Sequence, residues 1–495
     1  MVAMTPLKYL RKIDEVIATG KFKDNWQSLS EQKTPEWYYR SKLGIFIHWG
    51  IYSVPGFGNE WYSRNMYDPN HREFEHHRKT YGDHKNFGYK DFIPLFKGEK
   101  FDANHWVDIF RQAGAKFIMP VAEHHDGFAM YETEFNRWNA ANMGPCVDVI
   151  GELKKASEAQ GLRFCSSTHR AEHYFFMNMG RTFDSDVNDD AYADFYGPAV
   201  YTPEFGSEQI GITTETPSAV GPDEEWLTDW MVRTCELIDR YQPKVLYFDW
   251  WIQNHAFKPY LKKIAAYYYN RADQWGEDVT INYKHEAFPP GVGTFDVERG
   301  TLDRISPTPW QTCTAIGKHS WGYRADNEFK SSRQIICDLI DIVSKNGILL
   351  LNVGPRSDGT FTTEETQVLM DLGNWLKING EGIYDTVPWK WFGEGSVNAE
   401  SGFFKDSEEK AYTSDDFRFT YRGGFLYAFQ LRPDGNDVTI RSLAEKGMHD
   451  FVISDVELLG YEKKLKYQRK PEGLCIQMPG SINTDMPLCF KVHFA

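Results

Sequence analysis

An acidic residue ends one of the most apolar segments of this 495-residue chain. Residues 244–248 read Lys-Val-Leu-Tyr-Phe, a pattern typical of a buried strand, and Asp249 follows them directly, ahead of two tryptophans. Burying a carboxylate is costly unless it has partners or takes part in a reaction. A structural role as a turn cap is the alternative. Because α/β barrel enzymes carry their chemistry at the carboxyl ends of strands, Asp249 is a candidate catalytic carboxylate.

Histidines follow three other strand-like segments. They are His48, the pair His124 and His125, and His169. Neighbouring side chains of an extended segment point in opposite directions, so His124 and His125 are poorly placed to chelate one metal ion. Imidazoles at a strand end are well suited to bind ligand hydroxyl groups. We therefore expect a binding role without a metal, and a metal-dependent hydrolase built on His124 and His125 is the alternative.

The pair Glu60 and Trp61 lies in the loop after the first strand-like segment. A carboxylate can accept a hydrogen bond from a sugar hydroxyl while the neighbouring indole stacks on the apolar face of the ring. Aromatic residues make up 16% of the chain, which gives many such surfaces, although core packing is the default role of most of them.

Short apolar segments alternate with amphipathic ones between about residues 43 and 380, and these elements must position the residues above. The predicted strands are 43–48, 116–123, 162–168, 245–249, 279–283 and 347–353, and the predicted helices are 106–113, 147–160, 225–241, 332–344 and 364–378. Strands that alternate with helices predict a parallel sheet, and about eight such units favour closure into a barrel. We therefore predict an α/β fold, with a catalytic (β/α)₈-like (TIM-type) barrel over residues 1–390.

The pattern changes after about residue 395 to short alternating strands separated by Gly, Pro, Asn and Asp turns. Examples are the strands 425–429 and 438–440 and the turn 433–437 between them. This spacing predicts a C-terminal β-sandwich domain over residues 391–495. Residues 175–221, rich in Asp, Tyr, Gly and Pro, are predicted to form a long loop on the catalytic face of the barrel.

Charge and composition narrow the function classes. A formal net charge of -15 argues against nucleic-acid or anionic-membrane partners, which need a basic surface. Seven cysteines without a C-x-x-C pair favour reduced thiols over a disulfide framework or a thiolate zinc site. Neither a signal-peptide pattern nor a membrane-length apolar segment is found, which predicts a cytoplasmic protein, although a mature secreted form would look the same.

Seven motifs together resemble one family. They are Ile47-His48-Trp49-Gly50, Glu60-Trp61-Tyr62, His124-His125-Asp126-Gly127-Phe128, Val245-Leu246-Tyr247-Phe248-Asp249, the Lys-His-Ser-Trp-Gly-Tyr of 318–323, the Lys-Asn-Gly-Ile-Leu-Leu-Leu-Asn-Val-Gly-Pro of 345–355 and the segment 375–384. Their order resembles that of the α-L-fucosidases of glycoside hydrolase family 29, over roughly residues 35–390.

The resemblance implies a retaining exo-glycosidase that removes terminal α-L-fucose from oligosaccharides or glycoconjugates by double displacement, without a cofactor. Asp249 matches the family's nucleophile, and Tyr247 falls where the family usually has a tryptophan. The other predicted substrate-binding residues are His48, Glu60, Trp61, His124, His125, His169, Trp251, Arg299, Trp310 and Trp321. Trp61, Trp250, Trp251 and Trp310 are the candidates for an apolar wall against the methyl group of fucose.

The acid/base residue is where this chain departs from the family. Many members carry it as the Glu of a Trp-Glu pair, and this chain has Gln311 there, which has no ionisable proton. Glu298, in a charged segment, is the best replacement, with Glu60 in reserve and Glu286 after it. Arg299 could orient a carboxylate or a substrate hydroxyl. A structural ion pair with Arg299 or Arg304 is the alternative role for Glu298.

Two other functions stay open on the sequence. The same site would suit a related sugar such as α-L-galactose, and Gln311 favours a fucose-binding protein with impaired catalysis. Linkage specificity and oligomeric state are not determined by the sequence, because both depend on loops and surfaces.

Overall fold

The computed structural model describes residues 5–201, 221–397, 399–406, 408–445, 451–480, 482 and 484–495. Its helices are α1 Pro6–Thr19, α2 Trp26–Leu29, α3 Glu36–Ser41, α4 Tyr62–Asn65, α5 Arg72–Thr80, α6 Ala103–Gln112, α7 Val149–Ala159, α8 His173–Phe176, α9 Ala193–Tyr196, α10 Glu224–Tyr241, α11 Lys258–Trp275, α12 Ser332–Ser344 and α13 Thr363–Asn379. Its strands are β1 Leu43–Ile47, β2 Phe117–Glu123, β3 Arg163–Phe164, β4 Ser166–Thr168, β5 Val245–Phe248, β6 Thr280–Tyr283, β7 Thr294–Glu298, β8 Trp310–Ala315, β9 Gly347–Val353, β10 Val387–Glu394, β11 Phe417–Arg422, β12 Phe425–Gln430, β13 Val438–Ile440, β14 Ile453–Leu458, β15 Lys466–Lys470, β16 Gly473–Gln477 and β17 Leu488–Phe494.

The first nine strands close into a parallel barrel. β1 pairs with β2 on one side and with β9 on the other, which leaves no free edge. β3 and β4 both pair with β2 and together occupy the third of eight positions, where the sequence predicted a single strand over 162–168. The predicted (β/α)₈-like barrel is therefore confirmed.

Alternate residues of β9 show why this barrel strand is apolar along its whole length. Ile348 and Leu350 pack inside the barrel, whereas Leu349 and Leu351 pack against the surrounding helices. Both faces of a parallel strand are buried in such a fold, so polar residues are displaced to the strand ends. This is the physical basis for searching the strand ends for chemistry.

Helices do not alternate with strands around the whole barrel. β6, β7 and β8 follow one another through residues 284–293 and 299–309, which contain no helix. Pro289, Pro290, Pro307 and Pro309 in these segments disfavour helix formation, because proline lacks the N–H donor of the helical hydrogen bond. The prediction of regular alternation is therefore wrong for this part of the barrel.

The C-terminal part is the predicted β-sandwich. One antiparallel sheet has the order β10-β11-β12-β17-β14 and the other the order β13-β16-β15. The two sheets share an apolar core that includes Phe419 and Phe490 from the first and Ile440 and Ile476 from the second. β10 begins at Val387, so the predicted boundary at residue 390 falls inside this strand.

The predicted loop over residues 175–221 is described up to residue 201. That part contains the end of α8, short 3₁₀ turns and α9. Residues 202–220 lie outside the described residues. Across the described part of the chain, we find no helix with the length and apolar character needed to cross a membrane.

Candidate active site

Side chains from the carboxyl ends of the barrel strands converge on one cavity of about 270 Å³. Buried strands carry most of the polar side chains to this end, which is why residues far apart in the chain meet here, and Asn59 and Glu60 come from the loop after β1. The lining consists of Phe46, His48, Asn59, Glu60, Trp61, His124, His125, His169, Tyr247, Asp249, Trp250, Lys284, Glu298, Cys313, Trp321 and Phe404.

Two carboxylates in this cavity share one ammonium group. Lys284 Nζ lies 2.6 Å from Asp249 Oδ1 and 2.6 Å from Glu298 Oε2. These two oxygens therefore lie no further apart than twice that distance. All three side chains are buried, so the lysine compensates the charge of a carboxylate pair that would otherwise be very costly to bury.

The surroundings drive the pKa values of the two carboxylates in opposite directions. Burial opposes ionisation of Asp249, but the charge of Lys284 and the adjacent His169 and His125 hold its pKa well below the usual range. Burial raises the pKa of Glu298 to about 7, and the negative charge of Asp249 adds to this effect although Lys284 opposes it. Near neutral pH, one carboxylate is thus ionised while the other keeps much of its proton.

Two of the histidines present acceptor nitrogens to the cavity. His125 Nδ1 lies 2.7 Å from the carbonyl oxygen of His169, which can only accept, so Nδ1 carries the proton. His48 Nδ1 faces Asn352 Oδ1 at 2.6 Å, and the Asn352 amide is oriented by donating to the Trp321 carbonyl. Burial lowers the pKa of both rings, so each is neutral and its Nε2 can accept a hydrogen bond from a hydroxyl group.

Glu60 is held by two donors on one oxygen. Its Oε2 accepts hydrogen bonds from Ser320 Oγ at 2.9 Å and from the Trp321 backbone N–H at 2.8 Å. Hydrogen-bond donors already lie on this carboxylate, which suits it to the role of an acceptor.

Aromatic rings form apolar walls of the cavity. Phe46 packs edge-on against Tyr247, with ring centroids 5.1 Å apart, and lies 6.1 Å from the ring of Trp321. The Tyr247 hydroxyl is directed to Asp296 Oδ2 at 3.2 Å, so its polar end is satisfied within the barrel. The Tyr247 ring stacks with His169 at 5.9 Å, and Lys284 Nζ lies 5.6 Å from its centroid, so the ring also helps to position these two side chains.

Three predicted substrate-binding residues do not line this cavity. Trp251 is buried, with its ring centroid 6.5 Å from that of Phe175. Arg299 lies over the Trp321 ring at 4.7 Å and donates to the carbonyls of Gly317 and Lys318, so it supports a cavity wall from behind. Trp310, at the first position of β8, lines a separate cavity of about 880 Å³ that contains neither Asp249 nor Glu298.

Gln311 lies inside the barrel and does not line the cavity. Its amide donates to Asp296 Oδ1 at 2.6 Å, and its oxygen accepts from the Tyr38 hydroxyl. A residue at the second position of β8 is too close to the start of the strand to reach the carboxyl end, where Glu298 is located. The presence of glutamine here therefore does not deprive the cavity of a proton donor.

Lys284 is the main residue that the sequence interpretation missed. It directly follows β6, so the same strand-end rule that singled out Asp249 would have found it. Phe46, Asn59, Cys313 and Phe404 also line the cavity without having been predicted, whereas Trp250, a candidate for the apolar wall, does line it. Phe404 comes from beyond the barrel, and no strand-end pattern marks it.

Two groups among the described residues have donor atoms close enough to hold a metal ion. One consists of His48, His124 and His169, and the other of His125, His169 and Asp249, with donor atoms within 4.8 Å of one another. Neither group contains both His124 and His125. These residues follow the last residue of β2, and both line the cavity with ring centroids 4.4 Å apart, so the expected opposite orientation of the two side chains is wrong. Asp249 already accepts from Lys284, whose positive charge opposes a cation at the same carboxylate.

A closed α/β barrel with a paired ionised and protonated carboxylate and a small hydroxyl-binding cavity is the arrangement of a glycoside hydrolase. A family model for α-L-fucosidases matches residues 10–381, and the chain belongs to this family.

Individual relatives agree with this assignment. The plasma α-L-fucosidase of Homo sapiens is 31% identical over 389 residues, which cover 75% of this chain and 73% of that protein. The α-L-fucosidase of Dictyostelium discoideum is 29% identical, over 77% of this chain and 78% of that protein. The structure of Thermotoga maritima α-fucosidase in complex with fucose has 28% identity and a TM-score of 0.72, over 95% of this chain and 100% of that one.

Proposed function

We propose that this α-L-fucosidase is an exo-acting, retaining enzyme that releases terminal α-L-fucose from oligosaccharides or glycoconjugates. Asp249 is the nucleophile and Glu298 the general acid/base. One observation carries the proposal: the two carboxylates bind the same Lys284 ammonium at 2.6 Å each and have opposite pKa shifts.

The separation of the carboxylates supports retention. Retaining glycosidases place the two groups about 5–5.5 Å apart, whereas inverting enzymes need about 6.5–9.5 Å to admit a water molecule between acid and base. Two oxygens that each lie 2.6 Å from one nitrogen fall in the shorter class.

The proposed reaction has two steps. Ionised Asp249 attacks the anomeric carbon while Glu298 gives its proton to the departing oxygen, which breaks the glycosidic bond and forms a fucosyl ester. Glu298, now ionised, removes a proton from water, which attacks the same carbon and releases Asp249. The sugar hydroxyls donate hydrogen bonds to the neutral rings of His48 and His125 and to the carboxylate of Glu60. The methyl group of fucose packs against the aromatic walls of the cavity.

The size of the cavity supports exo action. At about 270 Å³ it is smaller than the roughly 300–1,000 Å³ typical of sites for drug-sized ligands. A single sugar ring suits this volume, and an internal residue of a chain does not. The impaired-binder alternative loses its basis, because Gln311 lies inside the barrel.

The direct test is the configuration of the first product. Wild-type protein is mixed with 4-nitrophenyl α-L-fucoside and the anomeric proton of released fucose is followed by NMR before mutarotation. The α anomer is expected, and initial release of the β anomer would overturn the retaining mechanism. Slower turnover of the α-L-galactoside is expected, since its C6 hydroxyl would meet apolar walls.

Replacing Lys284 by methionine is expected to shift the whole pH profile of kcat/KM to higher pH. The lysine charge lowers the pKa of both carboxylates, so its removal raises both. Asp249 then becomes ionised only at higher pH, and Glu298 keeps its proton to higher pH. The measurement is kcat/KM for the aryl fucoside from pH 4 to 9, and activity at the acidic end should fall most.

Lys284→Arg is the matched control, because it retains the positive charge. Its profile should remain close to that of the wild type, although the wider guanidinium lowers kcat. If the acidic and basic limbs of the pH profile of Lys284→Met stay at the wild-type pH values, Lys284 does not set the pKa values of Asp249 and Glu298.

A further inference from the structure

Phe404 is an exposed aromatic ring at the mouth of the catalytic cavity. Its side chain is 54% exposed, and among the large exposed apolar side chains of the described residues it is the one that lines this cavity. Single exposed apolar residues are common on protein surfaces and need no explanation on their own. Phe404 requires one because it lines the same cavity as the two carboxylates.

The backbone around Phe404 is tied to the strand that carries Glu298. The Phe404 N–H donates to the Glu298 carbonyl at 2.9 Å, and the Lys405 N–H donates to the Arg299 carbonyl at 2.7 Å. On the inner side, Phe403 stacks on His285 with ring centroids 4.6 Å apart. The segment is therefore fixed relative to the acid/base residue.

The conformation of Phe404 adds to this evidence. Its φ is 54°, in the left-handed region that non-glycine residues rarely adopt. Next in the chain, the Asp406 carboxylate accepts from Thr314 and from the buried Lys330, which anchors the segment in this strained form. Strain of this kind persists where the surrounding structure enforces it, often at functional sites.

The reaction chemistry assigns a side to the leaving group. The acid/base residue must reach the glycosidic oxygen, so the departing group lies on the Glu298 side of fucose. Phe404 is bonded through its backbone to Glu298 and presents an exposed ring at the cavity mouth on that side. Pyranose rings have apolar C–H faces that pack on aromatic rings.

We propose that Phe404 is the stacking platform for the first sugar ring of the leaving group and a determinant of leaving-group specificity. The inference rests on the proposed function of Glu298. The substrate class it selects is a fucosyl glycan whose penultimate residue is a pyranose with an open C–H face.

The test compares leaving groups with and without a ring. In Phe404→Ala, kcat/KM should fall about tenfold on at least one fucosyl disaccharide of an α1,2, α1,3, α1,4 and α1,6 panel, as expected for loss of one stacked ring face. Hydrolysis of α-L-fucosyl fluoride, which has no leaving-group ring, should stay within about twofold of wild type. Phe404→Trp should restore the disaccharide rate.

Two further variants test whether the effect comes from the aromatic ring, from the strained backbone or from the loss of any exposed apolar side chain. Phe404→Gly relieves the positive φ and also lacks the ring, so it should show the same selective loss as the alanine variant. Leu95→Ala removes an apolar side chain of similar exposure, 47%, away from the cavity and should leave both rates unchanged.

An equal loss on fluoride and disaccharides in Phe404→Ala would overturn the stacking role, as would unchanged rates on the whole panel. Failure of the proposed function is distinct. Wild-type protein without fucosidase activity would not hydrolyse α-L-fucosyl fluoride, and if Glu298 is not the acid/base residue, Glu298→Ala would keep the wild-type rate on the disaccharides.

Discussion

Replacement of Asp249 by alanine is expected to lower kcat on 4-nitrophenyl α-L-fucoside by about 10⁴-fold or more, the range seen when a catalytic residue of a covalent mechanism is removed. Without this carboxylate, the proposed fucosyl ester at Asp249 cannot form. The loss should appear in kcat more than in KM, because the hydroxyl-binding residues are unchanged.

Azide gives this experiment a specific readout. The shortened side chain leaves space for the anion to attack the anomeric carbon from the side that Asp249 occupied, so the Asp249→Ala product should be β-fucosyl azide. Asp239→Asn is the control, since Asp239 also accepts from several buried donors but lies away from the cavity. Turnover of Asp249→Ala within tenfold of wild type would refute the nucleophile assignment.

Replacement of Glu298 by alanine is expected to have an effect that depends on the leaving group. For disaccharide substrates, whose leaving oxygen needs a proton, kcat/KM should fall by about 10²–10⁴-fold. For fucosyl fluoride, the bond-breaking step should change far less. The fall of activity through about pH 7 should also disappear, because the raised pKa of Glu298 is the cause of that limb.

The product formed with azide distinguishes Glu298→Ala from Asp249→Ala. In Glu298→Ala the ester still forms, and azide attacks it from the opposite face to give α-fucosyl azide. Glu60→Gln is the comparison. We expect it to weaken substrate binding while keeping the limb near pH 7, because Glu60 accepts from Ser320 and Trp321. If the limb is lost in Glu60→Gln and kept in Glu298→Ala, Glu60 is the acid/base residue.

The barrel and its catalytic end could be predicted because their causes are local. Buried parallel strands are apolar on both faces, so strands such as β9 stand out as continuous runs, and helices show their own periodicity. The helix α12 and the strand β9 have the bounds predicted from the sequence. The predicted alternation is wrong between β6 and β8, where proline-rich connections replace helices. These prolines are visible in the sequence, but the regular pattern in the rest of the barrel outweighed them.

The chain by itself determined the strand ends that carry polar side chains, and hence Asp249, His48, His125 and the α-L-fucosidase resemblance. Only the tertiary structure decided how they combine. It brought Lys284 between Asp249 and Glu298, placed Gln311 inside the barrel and Trp310 in another cavity, and brought Phe404 from beyond the barrel to the cavity mouth. The reason is physical: strand and helix patterns arise from neighbours in the chain, whereas charge sharing, pKa shifts and cavity walls depend on distances between segments that sequence spacing does not contain.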